Sequence, residues 1–126
     1  MAFAHAAVWI EHHGAHVLQF DSEHVTESTV KEHVHYTRQH GSQVRAEHEF
    51  FGEITEALRE FKSVLVVGQH APQAAFRQYI SKHRPALALH VVAWKTVDHP
   101  TEAEVLKLAR EFFVQRGEMA ATPRMH

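Results

Sequence analysis

The six residues Ser63-Val64-Leu65-Val66-Val67-Gly68 constrain this chain more than any other stretch. Four consecutive apolar residues bounded by a serine and a glycine describe a strand buried on both faces, which places it in the middle of a sheet. Helical patterns flank it on both sides. Upstream, Phe50, Phe51, Ile54, Ala57, Leu58 and Phe61 form the apolar stripe of an amphipathic helix, with Glu49, Glu53, Glu56 and Glu60 on its solvated face. Downstream, a Gln69-His70-Ala71-Pro72 turn leads into a helix from Pro72 to His83 that buries Ala75, Phe76, Tyr79 and Ile80 and stops at Arg84-Pro85.

The other segments supply the rest of a sheet. Ala6 to Glu11 and Ala15 to Phe20 are β-rich runs joined by His12-His13-Gly14, a hairpin with a glycine at its turn. His24 to Val30 carries enough β-branched residues for a third, exposed strand, and Leu87 to Trp94 reads as the last strand. Thr101-Glu102-Ala103-Glu104 matches a capping box, and the helix it opens buries Val105, Leu106, Leu108, Ala109, Phe112 and Phe113. The order is βββ-α-β-α-β-α: an antiparallel meander, then alternating units that add parallel strands. This predicts an α/β fold with a ribonuclease H-like mixed sheet and helices packed on it. With 126 residues, 44% of them hydrophobic, the chain forms a single domain whose core runs from about residue 6 to 113, with a loose tail over 114–126.

No run approaches the ~18 apolar residues that cross a bilayer, and the first residues do not form a signal peptide, so a soluble cytoplasmic protein is expected, with no membrane partner. The absence of cysteine excludes disulfides, thiolate metal sites and a cysteine nucleophile. A formal net charge of −2 argues against an all-round polyanion binder, so any nucleic-acid contact is local. Fourteen histidines, dispersed along the chain, make net charge steeply dependent on pH in mild acid.

Catalytic constellations are poorly supported. A ribonuclease H-like nuclease needs carboxylates converging on two metal ions, and the strand that should supply one ends in Gly68-Gln69-His70. Ser28, Ser42, Ser63 and Ser81 all lack the context of a hydrolase nucleophile. His33 and His35, two apart on an extended segment and joined by His24 or His40, form a candidate site for zinc or nickel through neutral imidazoles. No other cofactor is expected. A better candidate is the aperiodic stretch from Lys31 to Arg45, since so long an irregular segment in so small a domain is usually functional. It has no acid between Glu32 and Glu47, Arg38 and Arg45 flank Gly41, and Gln43 stands just before a helix whose N-terminal amides favour anions.

Ala7-Val8-Trp9-Ile10-Glu11-His12-His13, Phe50-Phe51, Leu65-Val66-Val67-Gly68 and Val97-Asp98-His99-Pro100-Thr101 together resemble a family of small bacterial proteins called "translational machinery protein". That family is similar to the middle domain of archaeal and eukaryotic peptide-chain release factors, to Pelota and, more distantly, to host-attachment-type proteins. In release factors a Gly-Gly-Gln loop before the first long helix promotes hydrolysis of peptidyl-tRNA. The matching stretch here is His40-Gly41-Ser42-Gln43, with serine at the second position, where a side chain obstructs the tight backbone geometry because glycine reaches conformations that serine avoids. The resemblance therefore implies a non-catalytic accessory protein associated with the ribosome or tRNA. Its contact would be Arg38, His40, Gly41, Ser42, Gln43 and Arg45. The competing expectations are a histidine-rich interaction or metal-responsive module and, third, a residual peptidyl-tRNA hydrolase acting through Gln43. A homodimer is compatible with each.

Overall fold

The computed structural model describes residues 5–11, 14–20, 25–31 and 41–117. The strands are β1 (His5–Ile10), β2 (Gly14–Phe20), β3 (Val25–Lys31), β4 (Ser63–Gly68) and β5 (Val91–Thr96). The helices are α1 (Gly41–Ala57), α2 (His70–His83), a single turn α3 (Pro85–Ala88) and α4 (Glu102–Gln115). They build one five-stranded sheet in the order β3-β2-β1-β4-β5. β1 pairs antiparallel with β2 and parallel with β4, β2 pairs antiparallel with β3, and β4 pairs parallel with β5. The mixed α/β sheet predicted from the sequence is thus formed.

Every residue of β4 is buried, because the sheet is covered on both faces and β4 lies between two partners. The geometric centre of the sheet is nevertheless its neighbour β1, in which only Trp9 is partly exposed. One face carries Ala6, Val8, Ile10, Val17, Val64 and Val66 against Phe50, Ile54 and Leu58 of the α1 segment and Phe76 and Ile80 of α2. The other carries Ala7, Leu18, Phe20, Leu65 and Val67 against Val105, Ala109 and Phe113 of α4. This is the period-two alternation of a strand, used twice. β3 is an exposed edge, as its polar, β-branched sequence predicts.

Several boundaries differ from the sequence reading. Helix α2 starts at His70, inside the stretch expected as a turn before Pro72, and α4 runs to Gln115, past the expected start of the tail at 114. Helix α1 begins at Gly41, so the irregular stretch expected to reach Arg45 ends earlier. Ala46 is buried and extends the apolar stripe one turn upstream of Phe50. The segment Leu87 to His90, expected in the last strand, is not part of it. Pro85 stands at the first position of α3, where its fixed φ favours a helical turn, and β5 starts only at Val91.

The capping box is present in full: the Glu104 N–H donates to Thr101 Oγ1 at 3.2 Å, and the Thr101 N–H donates to Glu104 Oε1 at 2.8 Å. The bond from the Thr101 N–H, with a further contribution from its hydroxyl, holds the Glu104 carboxyl below the usual carboxylate range. Thr101→Ala removes the cap acceptor and is expected to lower stability by about 1 kcal/mol in urea denaturation. Thr101→Ser, which keeps the hydroxyl, should recover most of that loss.

Candidate functional site

The chain direction brings the chemistry to one end of the sheet. β1, β3, β4 and β5 all run toward the same rim, and α2 and α4 start there after short connections. Both anchors of the candidate segment, Lys31 at the end of β3 and Gly41 at the start of α1, belong to this rim as well. Three helix N-termini therefore meet at the carboxyl ends of the parallel strands, where open α/β sheets commonly bind ligands. The first turns of α1 and α2 contain no acidic residue, and Gln69 at the N-cap of α2 makes no side-chain cap. Their partial positive charge is not offset from within.

A crevice of about 640 Å³ opens at this rim, lined by Trp9, Glu11, His16, Thr29, Lys31, Gln69, His99 and their neighbours. A smaller cleft of about 160 Å³ lies between Glu11, the early turns of α1 (Glu47, Phe50, Phe51) and the start of α2 (Ala71, Pro72, Ala75). In the crevice the His16 ring stacks on Trp9, with centroids 4.8 Å apart. Its Nδ1 lies 2.8 Å from Glu27 Oε2 and its Nε2 lies 3.4 Å from Glu11 Oε2. Both imidazole nitrogens face carboxylates, so the ring serves as a pin between β1, β2 and β3 and has no lone pair directed at a substrate.

Glu27 also meets Glu102 at the start of α4. The hydrogen bond from Glu102, aided by His16, lowers the pKa of Glu27, whereas that same bond and the charge of Glu27 raise the pKa of Glu102. The signs oppose one another. The depressed Glu27 contributes stability that is lost as pH falls through its folded value, and the raised Glu102 a contribution lost as pH rises through its own. On the far side of the crevice Gln69 Nε2 approaches the His99 ring at 3.3 Å. His99 has φ 46°, a left-handed conformation that is uncommon for a side-chain-bearing residue.

Gly41, Ser42 and Gln43 form the first turn of α1, and Arg45 is exposed one turn on. Arg38 and His40 lie outside the described residues, as do His24, His33 and His35. Among the described residues no three histidine or acidic side chains are grouped so as to hold a metal. The position after β4 that a two-metal nuclease would give to a carboxylate holds Gln69. No described helix is long and apolar enough to cross a membrane.

The Trp9-His16-Glu27 arrangement was not anticipated from the sequence. The hairpin register that pairs Trp9 with His16 was available from the spacing around Gly14, but Glu27 joins only through the pairing of β2 with β3.

No protein-family model and no curated protein sequence matches the chain. Its fold, however, is similar to solved structures. Archaeoglobus fulgidus Pelota shares 18% identity with a TM-score of 0.63 over 92% of this chain, and Thermoplasma acidophilum Pelota shares 15% with a TM-score of 0.59 over 93%. An archaeal translation termination factor shares 12% with a TM-score of 0.57 over 92%. The chain spans only about a third of their length, 33% of each Pelota and 35% of the termination factor. The similarity expected from the sequence therefore holds at the level of fold.

Proposed function

We propose that this chain is a non-catalytic accessory protein that associates with the ribosome or tRNA through the segment between Lys31 and Arg45. The observation that carries this reading is the convergence at the rim. Both anchors of that segment stand beside helix N-termini with no acidic residue in the first turn of α1, on a fold shared with Pelota and an archaeal termination factor. The α1 and α2 side of the rim, away from Glu27 and Glu102, suits phosphate groups: backbone amides and the helix dipole attract them, and Arg38 and Arg45 supply full charges.

Binding is favoured over hydrolysis on two grounds. Ser42 replaces the second glycine of the release motif, and Gly41 to Gln43 continue directly into α1. Of the two imidazoles in the crevice, that of His16 is engaged on both sides by carboxylates and that of His99 stands against Gln69.

The test is co-sedimentation of the untagged protein with purified ribosomes at low and moderate salt, beside an Arg38→Glu/Arg45→Glu variant. Salt-sensitive co-sedimentation reduced about tenfold or more in the variant is the expected result, since each lost phosphate contact also flattens the salt dependence. Absence of co-sedimentation at both salts would overturn the reading. Zinc or nickel titration of His33→Ala and His35→Ala would then examine the metal-responsive alternative. Release of peptide from peptidyl-tRNA that disappears in Gln43→Ala would instead establish the hydrolase.

A further inference from the structure

The outer face of α2 differs in charge from the rest of the molecule. Residues 61–97 contain five of the thirteen lysines and arginines and none of the fifteen acids, a formal charge of +5. The remaining eight cations and fifteen acids leave −7 elsewhere. A protein of net charge −2 therefore carries one acid-free stretch, which comprises β4, α2, α3 and β5.

Within it, Ala74, Arg77, Gln78, Ser81 and Lys82 recur at helical spacing and form an open, exposed face on the outside of α2. The opposite face of the helix is spent on the core through Pro72, Gln73, Phe76 and Ile80. The Arg77 guanidinium lies 5.2 Å from the centroid of the Trp94 ring on the edge strand β5, which holds the cation in place before any partner arrives. Among the described residues neither Arg77 nor Lys82 has a carboxylate at ion-pair distance.

We propose that this outer face of α2 is a second nucleic-acid contact, taking the phosphodiester backbone of an RNA, with Arg77 and Lys82 on phosphates and Gln78 and Ser81 as hydrogen-bonding neighbours. It rests on the RNA-linked reading above and extends it to a surface separate from the Lys31–Arg45 segment. This face suits a polyanion better than a protein. Stable protein interfaces centre on buried aromatic or large apolar anchors, whereas this stripe has only Ala74, and the exposed Leu89 is not part of it. Small and polar side chains between two cations let a charged backbone approach closely without reading sequence.

The experiment is fluorescence anisotropy of a labelled RNA hairpin of mixed sequence with the full chain, across a salt series. Arg77→Gln/Lys82→Gln is compared with Arg38→Glu/Arg45→Glu, and circular dichroism checks that each variant is folded. The proposal expects the α2 variant to weaken binding about tenfold and to reduce the salt slope by about two, uniformly across hairpin sequences. Arg77→Lys, which keeps the charge on the same ring, should recover part of the loss. Unchanged RNA affinity in a folded α2 variant would overturn the α2 site, and so would wild-type protein that binds no RNA. An acidic peptide bound in place of RNA, and released by the same substitutions, would overturn it in favour of a protein partner. Ribosome co-sedimentation reads the other proposal independently. RNA binding lost through α2 but retained when Arg38 and Arg45 are reversed would support this site and count against the Lys31–Arg45 segment.

Discussion

Phe113→Ala should cost about 3–5 kcal/mol, the range for truncating a fully buried phenylalanine. Phe113 is completely buried and is the largest of the three buried residues by which α4 covers its face of the sheet, the others being Val105 and Ala109. Its ring lies 4.8 Å from that of His5 on β1 and 6.0 Å from that of Phe20 on β2. Truncation therefore empties the space between α4 and two adjacent strands, and the rigid sheet cannot move in to fill it. Against the roughly 5–15 kcal/mol of a typical domain, such a loss removes a large share of the stability. Urea denaturation followed by far-UV circular dichroism measures it. Phe112→Ala, a partly exposed neighbour with its ring 5.3 Å from Phe113, should lose less than half as much. Equal losses would mean that α4 is held by its whole surface and not by the single buried ring.

The same helix illustrates what the sequence makes legible. Thr101 and Glu104 form a local device whose partners are three residues apart, and its geometry appears as the spacing dictates. The burial of Val64 to Val67 is likewise carried by composition, since a four-residue apolar run on a strand requires cover on both faces. Boundaries were less accessible. Leu87-Ala88-Leu89-His90 has the hydrophobicity of a strand, but Pro85 starts a helical turn there, burying Leu87 and leaving Leu89 85% exposed. Ala46 is too small to signal that α1 extends a turn beyond its phenylalanines.

The rim was legible only in parts. Its location follows from strand direction, which the element order implies. The contacts of His16 with Glu11 and Glu27 depend on three strands in register, information that no local window contains. The acid-free stretch is the opposite case: it is visible in the sequence, yet only the packing of α2 shows that Arg77 and Lys82 share an outward face. Net charge concealed it, because a total of −2 hides two regions of opposite sign.

Gly68→Ala should destabilise the fold by about 3 kcal/mol, at the upper end of the cost of overpacking. A Cβ at this position would stand 2.5 Å from the backbone oxygen of Ile10, the residue paired with Gly68 across β1 and β4. A flexible side chain could turn aside, but a strand carbonyl cannot, so relief requires the two strands to separate at the rim. That separation has a second consequence. The Gly68 carbonyl accepts the Val97 N–H at 2.9 Å and receives the Gln73 amide at 3.4 Å, so displacing it loosens the exit of β5 and the start of α2 together. Glu11 and Gln69, the residues that follow Ile10 and Gly68, line the crevice and would move apart. Faster amide hydrogen exchange at Val97, measured by NMR alongside urea denaturation, is the expected local signature. Gly52→Ala is the matched control: its Cβ would meet the Tyr79 hydroxyl at an ordinary 3.5 Å inside α1, where alanine in place of glycine should stabilise by roughly 0.5–1 kcal/mol. Opposite signs at the two glycines would show that Gly68 is required for the close approach of β1 and β4, the contact that sets the spacing of the candidate site.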